Sequence, residues 1–177
     1  MARRAAFLLV QAPVALLLTL AYASLACLAA LVDRSGRATR AIGGAWSRAL
    51  LRLLRVRVVA RGLENAVEGP AVYAANHAST LDIFIVFGHL PVDFRIVYKK
   101  SVSLIPLVGW AIRLGGHVPI DRSHPFRARR SLDEAARRIR AGTSVVVFPE
   151  GTRSPDGGVR RFKRGSFALA IEAAVPV

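Results

Sequence analysis

Apolar residues fall into two different patterns over the first third of the chain. Residues 5–32 contain no charged side chain, and about 20 apolar residues suffice for a helix to cross a bilayer. This segment predicts a membrane helix that either spans the bilayer or lies partly within one leaflet. A secretory signal is the alternative, because Arg3 and Arg4 precede the apolar run and small residues flank Tyr22. We favour an anchor, since the apolar run continues to Val32, past the core of a usual signal.

The pattern changes to that of an amphipathic helix between Gly36 and Arg55. At about 100° of rotation per residue, one face is apolar, formed by Ile42, Trp46, Leu50 and Leu53. The opposite face is basic, formed by Arg37, Arg40, Arg48, Arg52 and Arg55. Such a helix is typical of segments that lie in an anionic membrane interface; the alternative is a core helix whose arginines are solvated. Because the neighbouring run is apolar, we favour the membrane and predict that residues 1–55 anchor the protein.

Residues 56–177 alternate short apolar runs with amphipathic stretches. Strands are predicted at 56–60, 70–75, 94–98, 118–120 and 143–148, and a turn at 62–65. Helices are predicted at 79–89, at 101–114 with a disturbance at Pro106, from Ala128 to Gly142, and from Gly165 onward. This alternation indicates an α/β domain, a covered mixed sheet with flanking helices. A further strand begins at Val175, so we expect the domain to be truncated at its C-terminal end.

Charge and cysteine content narrow the function classes. The chain has 26 Lys and Arg against 11 Asp and Glu, and all its bases except Lys99, Lys100 and Lys163 are arginines. Arginine binds phosphate and carboxylate through two hydrogen bonds, so anionic partners are expected. The 53% of hydrophobic residues argues against a disordered basic tail. The single cysteine, Cys27, excludes an intrachain disulfide and a Cys-rich zinc site.

The segment that joins strand 70–75 to helix 79–89 is the first candidate for chemistry. α/β folds place their functional groups where a strand ends and a helix begins. His77 can take a proton from a hydroxyl if a carboxylate holds its tautomer, and Asp82 follows five residues later. Ser79 and Asp82 also fit a helix capping box, which requires no catalysis. The spacing leaves both interpretations open, and they are compatible because a capped helix holds Asp82 rigidly.

Three further polar segments each have an ordinary explanation beside a functional one. Residues 148–154 follow a buried strand, and Arg153 could bind an anion there or pair with Glu150 in a surface turn. Residues 115–122 place Arg122 after a short strand, where an ion pair with Asp121 explains it equally well. Residues 160–166 form a basic loop that opens a helix, suited to phosphate or simply solvated.

The order of these motifs resembles the glycerolipid acyltransferase family of the lysophosphatidic acid acyltransferase type. The resemblance rests on NHASTLD at residues 76–82, GHVPIDR at 116–122 and FPEGTRS at 148–154, and covers residues 56–177. It implies the glycerolipid acyltransferase fold, with transfer of an acyl chain from a thioester to a glycerophospholipid hydroxyl. One departure is Pro119, where family members often carry an aromatic residue; proline lacks the N–H that a strand residue can donate.

The resemblance also implies roles for individual residues. His77 would be the general base and Asp82 its orienting partner, with Ser79 a helix cap and not a nucleophile. The acceptor's glycerol phosphate would be bound by Glu150, Gly151, Thr152 and Arg153, with Arg122 assisting. Lys99, Lys100 and Lys163 are further candidates by charge. No metal and no cofactor are expected, and His89, His117 and His124 are interpreted as structural or solvent-facing.

The implied reaction acylates 1-acylglycerol 3-phosphate to phosphatidic acid, with acyl-CoA or acyl carrier protein as donor. We expect an anionic membrane as a partner, and a cell (inner) membrane location with the site facing the cytoplasm, since basic residues follow Val32. Arg3 and Arg4 blur that orientation signal. The alternatives are the same chemistry on glycerol 3-phosphate or a lyso-aminolipid, a non-catalytic basic membrane-binding module, and a hydrolase using Ser79 or Ser166. Nucleic acid is not expected, because few aromatic residues are interleaved with the bases.

Overall fold

The computed structural model describes residues 7–121 and 123–177. The predictions that involve Arg3, Arg4 and Arg122 lie outside the described residues.

The N-terminal segment forms a helical hairpin. A π-helical turn at Phe7–Gln11 continues as α1, Ala12–Val32, and α2 follows at Arg37–Leu53. Pro13 is the second residue of α1, at the junction with the π-helical turn. The two helices are joined along their length by the Gln11 amide, which donates to the Leu53 carbonyl at 3.0 Å, and by the Trp46 indole, which donates to the Thr19 hydroxyl at 3.1 Å.

The turn between these helices is fixed by one carboxylate. Asp33 accepts the backbone N–H of Ser35 at 2.8 Å and that of Ala38 at 2.7 Å, so it satisfies donors at the start of α2. These hydrogen bonds hold the pKa of Asp33 down to about 2. Gly36 takes φ +74° at the helix start, a conformation that favours glycine.

The sheet has four parallel strands in the order β1-β4-β2-β3. They are β1, Val72–Ala74; β2, Phe94–Lys99; β3, Val118–Ile120; and β4, Ser144–Val147. The α/β class is confirmed, and each strand predicted between residues 70 and 148 is present, whereas residues 175–177 are assigned no strand. The predicted strand at 56–60 is wrong: these residues form no strand, and the pairings among the described strands are parallel where a mixed sheet was expected.

The described residues after the hairpin form four further helices, α3 at Leu81–His89, α4 at Val108–Leu114, α5 at Pro125–Arg140 and α6 at Arg164–Ala173. Short 3₁₀ turns occur at Leu63–Asn65 and at Lys100–Leu104. The predicted helix at 101–114 is divided by Pro106 into the second of these turns and α4. Leu107 bridges the two with φ +60°, a strained conformation for a branched side chain.

The sheet is covered on both faces. On one face, α5 and α6 bury Ile139 and Leu169 against Val72 and Val145, and all four side chains are almost fully buried. On the other face, the Phe87 ring of α3 packs edge-on against Phe94, with ring centroids 5.3 Å apart. Helix α2 lies outside α3. The layers are therefore helix, sheet and helix, with the N-terminal hairpin added to one side.

The apolar face of α2 is used inside the protein. Its Trp46 ring packs edge-on against Phe84 of α3 at 5.2 Å, and Leu50 and Leu51 are buried. This corrects the prediction that the face lies in lipid, because α1 and α3 already cover it. The arginine face agrees with the prediction in part. Arg37, Arg48, Arg52 and Arg55 are exposed, whereas the Arg40 side chain is 10% exposed and pairs with Asp93 at 2.6 Å.

Helix α1 is different, because most of its apolar surface has no protein cover. Phe7–Val32 has a mean hydropathy of 2.3, and only 11% of its most apolar stretch is buried. This segment is long and apolar enough to cross a membrane. At the other end of the chain, the Pro176 carbonyl accepts the Val72 N–H at 3.0 Å, so residues 175–177 lie on the open side of β1, where the predicted further strand would pair.

Candidate active site

Two loops converge at the carboxyl edge of the sheet, because β1 and β4 are parallel neighbours. His77 follows β1 and Glu150 follows β4, and the Ala75 N–H donates to the Val147 carbonyl at 3.0 Å. Beyond that point, the His77 N–H donates to the Glu150 carboxylate at 2.7 Å, and the Ser154 N–H donates to the His77 carbonyl at 2.7 Å. The two motifs that lie about 70 residues apart in sequence thus form one continuous structure.

His77 and Asp82 form the central pair of this site. Their Nδ1 and Oδ2 atoms are 2.9 Å apart, and the two side chains are 14% and 23% exposed. An ionised carboxylate only accepts hydrogen bonds, so the proton of the neutral imidazole lies on Nδ1. Nε2 is then the acceptor, and it can take a proton from a substrate hydroxyl. The predicted pair is formed.

The carboxylate of Asp82 also caps the start of α3. Its Oδ2 accepts the N–H groups of Ala78 and Ser79, each at 2.8 Å, and the Ser79 hydroxyl accepts the Leu81 N–H at 3.2 Å. With the contact to His77 Nδ1, the Oδ2 atom of Asp82 makes three hydrogen bonds, which fix its position relative to the histidine ring. The capping interpretation is confirmed, and the same carboxylate lies where the catalytic interpretation requires it. The catalytic role of the pair remains a prediction.

Phe148 fixes the ring of His77 from one side. The two rings stack at 4.2 Å between centroids, with 24° between their planes. Stacking and the Asp82 hydrogen bond together leave the imidazole little freedom to rotate. Phe148 comes directly after β4, the strand next to β1, which brings its ring beside the histidine. The predictions from sequence had given Phe148 no role.

Glu150 connects separate loops through hydrogen bonds to their backbone N–H groups. It is 3% exposed, and its two oxygens accept the backbone N–H groups of His77, at 2.7 Å, and Arg160, at 3.3 Å. Both oxygens are engaged within the protein, so this geometry favours positioning over contact with the acceptor. The predicted contact between Glu150 and substrate remains a prediction.

Two cationic side chains lie beside the loops that hold His77 and Asp82. Arg153 is exposed, and its guanidinium donates to the Thr80 hydroxyl, just before α3, at 2.5 Å. Gly151 has φ +74°, and a Cβ built there would lie 2.8 Å from the Lys163 Nζ. The structure thus brings Arg153 and Lys163 to the loop that carries Glu150. Thr152, which precedes Arg153 in the sequence, is also exposed.

A family model described as Acyltransferase matches residues 57–177, which is most of the chain and includes every residue of this site. The chain belongs to the acyltransferase family.

Several proteins resemble this acyltransferase chain. It is 39% identical over 119 residues to the chloroplastic 1-acyl-sn-glycerol-3-phosphate acyltransferase BAT2 of Brassica napus, covering 66% of this chain and 34% of that protein. It is 38% identical over 137 residues to the 1-acyl-sn-glycerol-3-phosphate acyltransferase of Pseudomonas aeruginosa, covering 75% of this chain and 53% of that protein. The chain thus spans between a third and about half of these relatives.

A solved structure supports the fold assignment. The crystal structure of the 1-acyl-sn-glycerophosphate (LPA) acyltransferase PlsC from Thermotoga maritima superposes with a TM-score of 0.73 at 28% identity, covering 93% of this chain and 72% of that one. The match extends over nearly the whole chain, including most of the N-terminal hairpin. The acyltransferase fold predicted from the sequence is confirmed.

The second motif of this acyltransferase, residues 116–122, contains β3, at the opposite edge of the sheet from β1 and His77. Lys100, after β2, and Asp121, after β3, form an ion pair at 3.1 Å. Hydrogen bonds from the Ser123 hydroxyl and from Lys100 hold the pKa of Asp121 well below its usual range. Arg122, the next residue, lies outside the described part of the chain, so its assisting role stays a prediction. Pro119 is tolerated because β3 is an edge strand.

The remaining histidines have structural partners, as predicted. His117 is 5% exposed, and its Nδ1 accepts the Ile96 N–H at 3.1 Å. Burial, with a contribution from nearby arginines, lowers the pKa of His117 to about 3. His124 accepts the Phe126 N–H at 3.2 Å at the start of α5, and the ring of His89 hydrogen-bonds to the Ile85 carbonyl at 3.2 Å. Among the described residues, no three His, Cys, Asp or Glu side chains lie close enough together to hold a metal ion.

Proposed function

We propose that this acyltransferase moves a fatty acyl chain from an acyl thioester to the free hydroxyl of 1-acylglycerol 3-phosphate, giving phosphatidic acid. The observation that carries the proposal is the 2.9 Å contact between His77 Nδ1 and Asp82, which leaves Nε2 as a base. The names of the relatives in B. napus and P. aeruginosa support the acceptor.

The reaction needs one base and no covalent enzyme intermediate. Nε2 of His77 takes the proton of the acceptor hydroxyl while that oxygen attacks the thioester carbonyl. The tetrahedral intermediate collapses with cleavage of the C–S bond, and the leaving thiolate takes the proton back from Nε2. The Asp82 carboxylate holds the ring in the required tautomer and stabilises the imidazolium formed during transfer. Ser79, whose hydroxyl caps α3, takes no part as a nucleophile.

The acceptor phosphate would lie against Arg153 and Lys163. Arg153 is exposed beside the first turn of α3, and Lys163 reaches the loop at Gly151. Both therefore border the loops that hold the catalytic pair. A guanidinium and an ammonium together suit a phosphate dianion, and the guanidinium can bind it through two hydrogen bonds. Arg122 would assist from the second motif, and Thr152 and Gly151 would line the same loop.

Location follows from α1. This helix contacts the rest of the protein from Gln11, which bonds to α2, to Cys27, whose thiol approaches the Leu107 carbonyl at 3.9 Å. Because one side of α1 lies against the domain along this length, we infer that its other side is immersed in one leaflet of the cell (inner) membrane. The basic residues after Val32 support a cytoplasmic position for the domain, where acyl-CoA or acyl carrier protein would be the donor.

The test is acyl transfer by the purified protein in phospholipid vesicles. We expect phosphatidic acid from an acyl thioester and 1-acylglycerol 3-phosphate, measured by mass spectrometry. Glycerol 3-phosphate and a lyso-aminolipid, offered in parallel, should give much less product. Preferred acylation of either would assign the same chemistry to another acceptor, whereas salt-sensitive binding to anionic vesicles with no turnover would favour a non-catalytic membrane-binding module.

A further inference from the structure

A group of large apolar side chains is exposed around α4, on the surface rather than in the core. The α4 patch consists of Leu104, Ile105, Trp110 and Leu114, of which Leu104 is 82% and Trp110 is 54% exposed. The Gly109 backbone packs closely on Ser103, since a Cβ added at Gly109 would lie 2.4 Å from the Ser103 carbonyl oxygen. This close approach folds α4 back onto the preceding turn, so the four side chains lie on neighbouring segments. A contiguous exposed apolar patch of this kind marks an interaction surface.

The α4 patch continues the exposed surface of α1. At one end of α4, the Leu107 carbonyl lies 3.9 Å from the Cys27 thiol. At the other end, the Leu114 carbonyl lies 3.0 Å from the position of a Cβ on Gly36, which follows α1. Helix α4 therefore runs beside the last turns of α1. Those turns expose Leu28 and Leu31, which are 61% and 76% accessible.

The chemistry of the patch suits a lipid interface. Trp110 combines a large apolar ring with an N–H donor, a combination enriched at the boundary between acyl chains and headgroups. Arg113 on α4, Lys99 at the end of β2 and Lys100 at the start of the turn are exposed, and such cations pair with anionic headgroups. The other tryptophan, Trp46, is held inside the protein by Thr19 and Phe84.

We propose that the α4 patch inserts into the same leaflet as α1, as a second membrane contact outside the N-terminal hairpin. The inference rests on the membrane association proposed above. The turn Lys100–Leu104 leaves the carboxyl edge of β2, the same edge of the sheet from which His77 extends. Insertion of Leu104 and Ile105 therefore holds this edge of the sheet, with His77, against the lipid surface that contains the acceptor. Helix α1 alone would leave the domain free to rotate about the helix axis.

Tryptophan fluorescence tests this directly, because the chain has two tryptophans. In the full chain with Trp46→Phe, Trp110 is the remaining fluorophore. On binding to vesicles that contain an anionic phospholipid, its emission should shift to the blue. It should also lose intensity when the lipids carry brominated acyl chains, relative to the same lipids without bromine. The matched control, Trp110→Phe, reports Trp46, which should be quenched less.

Sedimentation with the vesicles separates the possible failures. Protein that sediments while Trp110 emission is unaffected by bromine would overturn insertion of the patch and leave anchoring by α1 intact. Protein that does not sediment would overturn both this inference and the membrane association on which it rests. A blue shift of Trp110 that depends on protein concentration and occurs without vesicles would assign the patch to a second copy of the chain and overturn the inference.

A second measurement uses partitioning. Combined Leu104→Ser and Trp110→Ser changes should lower the vesicle partition coefficient ~10-fold or more, because two large apolar side chains leave the lipid. Ile171→Ser is the control, since Ile171 is 80% exposed but lies on α6, across the sheet from α3 and the hairpin. An equal loss in both variants, or no loss in the double variant, would contradict the proposal.

Discussion

The buried carboxylate of Glu150 accepts the backbone N–H of His77 at 2.7 Å. This one hydrogen bond joins the loop after β1 to the loop after β4, and the second oxygen of Glu150 extends the connection to Arg160 at 3.3 Å. The histidine is therefore positioned from two sides, by Asp82 through its ring and by Glu150 through its backbone.

Replacement of Glu150 by Ala should lower kcat and leave the KM for the acceptor nearly unchanged. The loss should be about 10²-fold, the cost of a misplaced catalytic group. Glu150→Gln should recover part of the rate, since one amide oxygen can still accept the His77 N–H. Steady-state kinetics with varied acceptor make this measurement. A rise in KM at constant kcat would instead show that Glu150 contacts the acceptor, as the motif resemblance implied.

Asp82→Asn should separate the charge of this side chain from its capping of the helix. The amide retains an oxygen for the N–H groups of Ala78 and Ser79, so the free energy of unfolding should change by about 1 kcal/mol or less. The neutral amide does not stabilise the imidazolium that forms during transfer, so kcat should fall by up to about 10⁴-fold. Denaturant unfolding and acyl transfer, run on one preparation, would show both effects. A rate loss matched by a large loss of stability would point to a purely structural carboxylate.

Arg153→Ala should raise the KM for 1-acylglycerol 3-phosphate by about 10–100-fold, because a charge-assisted contact to the phosphate is lost. Arg153→Lys should lie between the two. Acylation of a monoacylglycerol, which lacks the phosphate, should respond little to either change. Arg130→Ala serves as the control, because Arg130 is also an exposed arginine but lies on α5. If Arg130→Ala gave the same increase, the effect would come from net charge and not from the site.

Acid should destabilise the protein through His117, far from the catalytic pair. The pKa of His117 is about 3 in the folded protein, below its ordinary value of 6.5. At pH 5.5 the unfolded chain binds a proton that the folded protein does not, so stability falls as pH falls below 6.5. The free energy of unfolding should drop by about 1.4 kcal/mol between pH 7.5 and pH 5.5 from this group.

Denaturant unfolding at the two pH values measures this drop, with His117→Gln as the comparison. The amide oxygen can still accept the Ile96 N–H, and the titrating group is gone. The pH dependence of this variant should be smaller by the same amount. An unchanged pH dependence would contradict neutral burial of His117.

The sequence predicted the parts of this molecule that depend on local pattern. Strands from residue 70 onward follow apolar runs, and His77 and Asp82 lie in a segment whose spacing alone suggested both a cap and a catalytic pair. The predicted strand at 56–60 failed because an apolar run interrupted by Arg57 indicates a strand, while pairing depends on a neighbour elsewhere in the chain.

Contacts between distant segments were the hardest to predict. The stacking of Phe148 on His77 and the hydrogen bond from Glu150 follow from the pairing of β1 with β4, a crossover that no local signal encodes. Trp46 was predicted to face lipid because its helix is amphipathic. Tertiary contacts with Thr19 and Phe84 use that face instead. Of the two helices predicted to contact the membrane, α1 keeps an uncovered apolar surface and α2 does not.

The central claim is that His77 is the general base for acyl transfer, and its side chain can be removed on its own. The deciding measurement is the rate of phosphatidic acid formation by His77→Ala in vesicles, beside His124→Asn, which changes a histidine outside the site. With far-ultraviolet circular dichroism unchanged, the rate of His77→Ala should fall by about 10²–10⁴-fold while His124→Asn retains activity. A folded His77→Ala protein that forms phosphatidic acid as fast as the unmodified chain would contradict the account.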